Sequence, residues 1–121
     1  MKILMSIHPE HVEKILSSEK RYEYRTKAAK KDVESLIIYE TTPIKRVVAE
    51  AKIIEVLELS PEDLWEASKD YSGISKEFFD KYFEGRQTAY AYRLGEIKAY
   101  DTPRKLSYYG IKNAPQSFVY I

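Results

Sequence analysis

Lys20-Arg21-Tyr22-Glu23-Tyr24-Arg25 follows directly on a short amphipathic helix. Read as a strand, it places Tyr22 and Tyr24 on one face and Arg21, Glu23 and Arg25 on the other, because strand side chains alternate. The aromatic face can enter a core. The charged face holds two guanidinium groups around one carboxylate, with Lys20 at the strand entrance. Such a cluster is costly to bury and belongs on a surface or in a polar cleft. It is the best candidate for a ligand site in the chain.

The segments on either side continue the β pattern. Residues 2–7, 33–40, 46–58, 87–94 and 116–121 join 20–25 as expected strands of one curved sheet or barrel, with a further short strand expected at 97–100. His8-Pro9 opens a helix in which Val12, Ile15 and Leu16 form the apolar stripe. Ser60-Pro61-Glu62-Asp63 is a strong helix start: a Ser cap, Pro at the first position, acids in the first turn. Ser75 caps a second helix that carries Phe78, Phe79, Tyr82 and Phe83. Residues from about 61 to 84 therefore form a helical insertion packed outside the sheet. Thr102-Pro103 opens a separate segment that ends at Tyr108-Tyr109-Gly110. The fold class is α+β, built on a small β-barrel with flanking helices.

Composition is that of an ordinary globular protein: 121 residues, 44% hydrophobic and 32% charged. That length suits one domain over 1–121. There is no cysteine, which excludes disulfides and thiolate metal sites. No apolar run approaches the roughly 20 residues a membrane-spanning helix needs, and the N-terminus does not read as a secretory signal. The expected location is the cytoplasm, with no membrane partner. A net charge of +1 gives no global nucleic-acid signature. Charge is unevenly spread, however. Lys20, Arg21, Arg25, Lys27, Lys30 and Lys31 cluster within 20–31 against Glu23, whereas acids dominate 62–84. One face can thus attract an anion, although solvated surface is the simpler reading.

Met5-Ser6-Ile7-His8-Pro9, then Val12 and Ile15, then Ser18-Glu19-Lys20-Arg21-Tyr22-Glu23-Tyr24-Arg25 resembles the opening of the ASCH domain family, relatives of the PUA domains. Ile38-Tyr39, Pro43, Val47-Val48-Ala49-Glu50, Tyr71-Ser72-Gly73-Ile74-Ser75 and Ala114-Pro115-Gln116-Ser117-Phe118 are similar to its small single-domain prokaryotic branch. Ser18 and Ala49 stand where that family usually has Gly. The resemblance implies a PUA-like barrel with a cleft beside it. It also implies binding of RNA or a modified nucleotide or nucleoside, with regulation of transcription or translation as the associated role; no cofactor is assigned. One branch of the family hydrolyses an N-acylated cytidine with a Lys, a Thr three residues later and a distant Glu. Lys20 matches that Lys, but Glu23 occupies the Thr position, so the hydroxyl chemistry does not transfer.

The residues expected at a ligand site are Ser6, Lys20, Glu23, Arg25, Tyr39, Gln116 and Ser117. Lys20 offers a compact cation to a phosphate or carbonyl oxygen. Arg25 offers a planar fork to phosphate, or pairs structurally with Glu23. Glu23 reads a base edge or serves as a general base. Ser6, Ser117 and Gln116 are small or polar groups on strand segments, and the two serines equally suit backbone bonding. Among the tyrosines, Tyr22, Tyr24, Tyr39, Tyr90, Tyr92, Tyr108 and Tyr109 are candidates for base stacking, with most expected in the core or on its rim. His8 and His11 lie three apart but lack a third ligand, so no metal is assigned. The first functional reading is an RNA- or nucleotide-binding domain. The alternative is a small hydrolase, ribonuclease-like or acting on an N-acylated nucleoside, with Lys20 and Glu23 as its catalytic pair. A weaker third reading is a protein-interaction domain using the aromatic helices.

Overall fold

Alternation along β1 (Lys2–Ile7) and β3 (Ser35–Glu40) divides the interior between the two faces of one sheet. Ile3, Met5 and Ile7 join Leu36 and Ile38 on one face, while Leu4, Ile37 and Tyr39 go to the other. The computed structural model describes residues 1–121. After β1, α1 (Pro9–Leu16) lays Val12 and Ile15 on the first face. Short β2 (Tyr22–Arg25) follows, and β3 leads into the long β4 (Arg46–Leu59). The helical insertion holds α2 (Pro61–Ser68), a single 3-10 turn (Lys69–Tyr71) and α3 (Lys76–Tyr82). Then come β5 (Ala89–Arg104), a second 3-10 turn (Leu106–Tyr109) and β6 (Phe118–Tyr120). No helix is long and apolar enough to cross a membrane.

The six strands form one mixed sheet in the order β2-β5-β4-β3-β1-β6, with only β1 and β3 parallel. Register slips along β4 and β5 after Val47, Ala51 and Ile53 mark bulges. Bulges bend and twist a sheet, and this one curls into a half-barrel. Its two edges, β2 and β6, remain unpaired with each other. Residues 26–34 span the gap: Ala29 N donates to the Tyr92 hydroxyl at 2.8 Å, and Lys30 N to the Tyr120 hydroxyl at 2.9 Å.

Both insertion helices are capped as the serines dictate. Ser60 accepts from Asp63 N at 3.2 Å and Ser75 from Phe78 N at 3.1 Å. Phe79 is the hub of their packing, with ring centroids 5.2 Å from Tyr24, 5.0 Å from Trp65 and 4.8 Å from Phe83. Burying such a ring contributes roughly 1.5–3 kcal/mol.

Two expectations change. The strands expected at 87–94 and 97–100 are one strand that passes through Gly95 and ends beyond Pro103, at Arg104. The bulged register with β4 absorbs what reads locally as a break. Thr102-Pro103 therefore closes that strand instead of opening the next segment.

Candidate functional site

The half-barrel's unclosed side carries a cleft of about 390 Å³, lined in part by Ser6, His11, Lys20, Glu23, Arg25, Tyr82 and Gln116. It lies where the end of β1 comes nearest to β2. Its geometry follows from how Lys20 and Arg25 are held.

After α1 the chain turns through Ser18, which adopts a left-handed backbone with φ 67°. That turn lets Lys20 N donate to the Lys14 carbonyl at 3.1 Å and aims the side chain inward. The lysine stem lies directly on Gly73. A Cβ there would sit 2.5 Å from Lys20 Cβ, and Gly73 itself has φ +68°, so glycine is required twice over. Lys20 Nζ donates to the Ser72 carbonyl at 2.8 Å and stands 4.7 Å from the centroid of the Tyr24 ring. The 71–73 segment is fixed from outside as well, by Arg21 N on the Tyr71 carbonyl at 2.8 Å and Lys14 Nζ on the Gly73 carbonyl at 3.0 Å. Lys20 is only 2% exposed. Burial pushes its ammonium down to about 8, against the favourable pull of Glu23.

Arg25 joins the two sides of the cleft. Its Nη2 donates to Glu23 Oε2 at 2.7 Å and to the Ser6 carbonyl on β1 at 3.1 Å. Glu23 is buried beneath it, at 6% exposure. Ser6 in turn ties the far wall: its hydroxyl donates to the Pro115 carbonyl at 2.7 Å and its N–H to the Ser117 carbonyl at 3.1 Å. Two buried nitrogens, Arg25 Nε and His11 Nδ1, have no protein partner. Burial, then the Lys20 charge, hold His11 below its ordinary value despite Glu23, so its imidazole is neutral at pH 7. The cleft thus presents a cation, a carboxylate and a neutral imidazole within one concavity. Ile74, Phe78 and Tyr82 add apolar surface.

Five of the expected site residues meet here: Ser6, Lys20, Glu23, Arg25 and Gln116. Two do not. Tyr39 is buried on the opposite face of the sheet with Leu4, Ile37 and Val47. Alternation along β3 fixes its side, opposite to Ile38, and the bulge at Val48 in β4 brings Val47 onto the same face as its neighbour. Ser117 serves the wall through its backbone and does not line the cleft. His11, Thr41, Ile74, Phe78 and Tyr82 are cleft residues that the sequence reading did not assign to a ligand. For His11 the available signal was its place one residue before the buried Val12 on α1. The others arrive from distant segments without a local signature.

A larger groove of about 640 Å³ lies on the other side of the Lys20 stem, lined by Arg21, Tyr71, Arg93 and Glu96 among others. Apart from Lys20, which borders both, its charged groups are exposed, and Glu23 and Arg25 line only the smaller cleft. The candidate site is therefore the smaller one.

Comparison with known proteins bears on the family and the fold. The family model described as ASCH domain matches residues 5–100. Crystal structures of ASCH from Zymomonas mobilis superpose with a TM-score of 0.88 at 24% identity, covering 99% of this chain and 87% of that one. A tyrosine-to-phenylalanine variant of the same protein gives 0.88 at 23% identity, covering 99% of this chain and 89% of that one. These likenesses convey the fold. Among curated proteins, large ribosomal subunit protein uL22 of Ureaplasma parvum serovar 3 is 32% identical over 98 residues, which is 81% of this chain and 31% of that protein. ATP synthase subunit alpha of the same organism is 26% identical over 121 residues, 98% of this chain and 15% of that protein. The chain spans less than a third of either, and their names share no activity, so what they convey is a domain.

Proposed function

This chain belongs to the ASCH domain family, and from that premise we propose that it binds RNA or a modified nucleotide by taking one nucleotide unit into the cleft. The observation that carries the proposal is the convergence of Lys20 and Glu23 in a single concavity of about 390 Å³, within the usual size range of small-ligand sites. Lys20 supplies the charge for a phosphate or carbonyl oxygen. Glu23 keeps Oε1 available to accept from a base amine, since Arg25 occupies Oε2. Regulation of transcription or translation is the role that such binding would serve.

A small hydrolase is the second reading. The neutral His11, with an unpartnered buried nitrogen beside Lys20, favours it, because a free imidazole is the commonest general base. Glu23→Gln and Lys20→Ala separate the two readings. Under binding, Lys20→Ala weakens affinity for short single-stranded RNA, with a loss that shrinks as salt rises. Glu23→Gln then keeps or improves affinity. Under hydrolysis, Glu23→Gln keeps affinity and abolishes turnover of RNA or an N-acylated nucleoside. Unchanged RNA and nucleotide affinity in Lys20→Ala would end the binding proposal.

A further inference from the structure

Outside the cleft, the arrangement with the least structural explanation is around Arg104, at the end of β5. Its guanidinium carbon lies 4.2 Å from the centroid of the Tyr100 ring and 4.5 Å from that of Tyr108, sandwiched between the two. Nη1 donates to the Tyr109 hydroxyl at 3.1 Å. Tyr100, Leu106 and Tyr109 pack on the core cluster beneath. Tyr108 does not: it is 66% exposed, the most exposed of the large hydrophobic side chains.

We propose that Tyr108, backed by the Arg104 guanidinium, is a stacking platform for a base of single-stranded RNA, a contact separate from the cleft. Stacking on a ring or a guanidinium plane is how unpaired bases are gripped without sequence readout. The electrostatics suit that occupant over a protein segment. Arg46, Arg104 and Lys105 are near one another through the β4–β5 pairing, and none makes an ion pair. The local acids are Asp101, Glu50 and Glu40, the last opposite Arg46 in the β3–β4 pair. Glu50 is already taken by Lys2 at 3.2 Å, which leaves the cations in excess for a phosphate backbone.

The platform also stands on a path to the cleft. Arg104 pairs with Val47, Arg46 pairs with Glu40, and the next residue, Thr41, lines the cleft. Along the chain, Tyr108 and the cleft residue Gln116 are eight residues apart. Eight residues reach at most about 29 Å, which a stacked strand rising about 3.4 Å per nucleotide covers in eight or nine nucleotides. One short strand can therefore occupy both sites.

The inference rests on the reading of the cleft as an RNA site, so its test separates the two. A twelve-nucleotide single-stranded RNA is titrated against wild type, Tyr108→Ala, Tyr108→Phe and Lys20→Ala by fluorescence anisotropy, and a nucleoside monophosphate by calorimetry. Because Tyr108 is so exposed, its truncation leaves the fold intact, which circular dichroism checks. Loss of one stacked base weakens binding about ten-fold. We expect that loss in Tyr108→Ala with the RNA only, recovery in Tyr108→Phe, and no change with the monophosphate. If Tyr108→Ala matches wild type on RNA while Lys20→Ala binds weakly, the platform is refuted and the cleft stands. If the platform variant alone weakens RNA binding, the platform stands and the cleft reading fails. No RNA binding by wild type overturns both.

Discussion

Lys20→Met tests the central physical feature of the cleft, a buried ammonium. Methionine keeps the length and apolar stem of the side chain that lies on Gly73 and removes only the charged end. Burial lowers the lysine from 10.5 to about 8. At about 1.4 kcal/mol per pH unit, holding that charge inside costs about 3 kcal/mol at neutral pH. Between about pH 8 and about pH 10.5 the unfolded chain carries a proton on this residue that the folded chain has released, so stability rises with pH across that window. Below about pH 8 both states are protonated and the whole cost is present. The variant has no such group.

Urea denaturation followed by circular dichroism, on both proteins from pH 7 to 10, isolates the effect. The remaining lysines and tyrosines titrate in both proteins and cancel in the difference. Wild type should gain about 2–3 kcal/mol on the variant across that range. At pH 7 the variant should be equal to wild type or up to about 2 kcal/mol more stable. The relief of the charge is offset there by the unpaired Ser72 carbonyl, which costs about 1–3 kcal/mol. Parallel stability curves for the two proteins would show that Lys20 is not held as described.

Three further outcomes follow from the same contacts. Ser18→Gly should stabilise the fold by about 0.5–1 kcal/mol in urea denaturation, since a serine at φ 67° carries backbone strain that glycine lacks; a loss of stability would contradict the turn. Gly73→Ala should destabilise by 2 kcal/mol or more on the same measurement, because it meets both a left-handed backbone and the Lys20 stem. Affinity for RNA should fall as pH rises through about 8, where Lys20 loses its charge, and that dependence should vanish in Lys20→Ala, as anisotropy titrations at fixed salt will show.

What the sequence revealed and what it withheld divide by range. The helix starts at Ser60 and Ser75 and the alternation in β1 are local, because a cap or a two-residue period is written in consecutive residues. The Glu23–Arg25 pair is local for the same reason. The cleft is not. Lys20 reads as a strand-entrance lysine, and its burial comes from a loop 52 residues away at Ser72. The far wall comes from Pro115, 109 residues from Ser6. Tyr39 follows the alternation of β3 onto the Leu4, Ile37 and Val47 face, and which of the two faces borders the cleft depends on long-range pairing that no local pattern encodes. β5 was divided in two because Gly95 and Pro103 signal breaks locally, whereas the pairing with β4 carries the strand through both.

The state of Arg25 narrows what the cleft can bind. Its Nη2 is committed to Glu23 and to the Ser6 carbonyl, so it braces the open side of the half-barrel and leaves only its other nitrogens to a ligand. Removing one partner of a buried pair of this kind strands the other charge, so Arg25→Ala reports on the fold before it reports on binding. Lys20 has no carboxylate in salt-bridge contact, so its charge is the one left for a ligand. Counted over Lys20, Glu23, Arg25 and a neutral His11, the cleft's buried groups carry one net positive charge at pH 7. One charge balances a single phosphodiester, or polarises one carbonyl oxygen. It does not balance a triphosphate, whose negative charge exceeds it. The electrostatics therefore favour a unit within a chain, or a nucleoside, over a free nucleoside triphosphate.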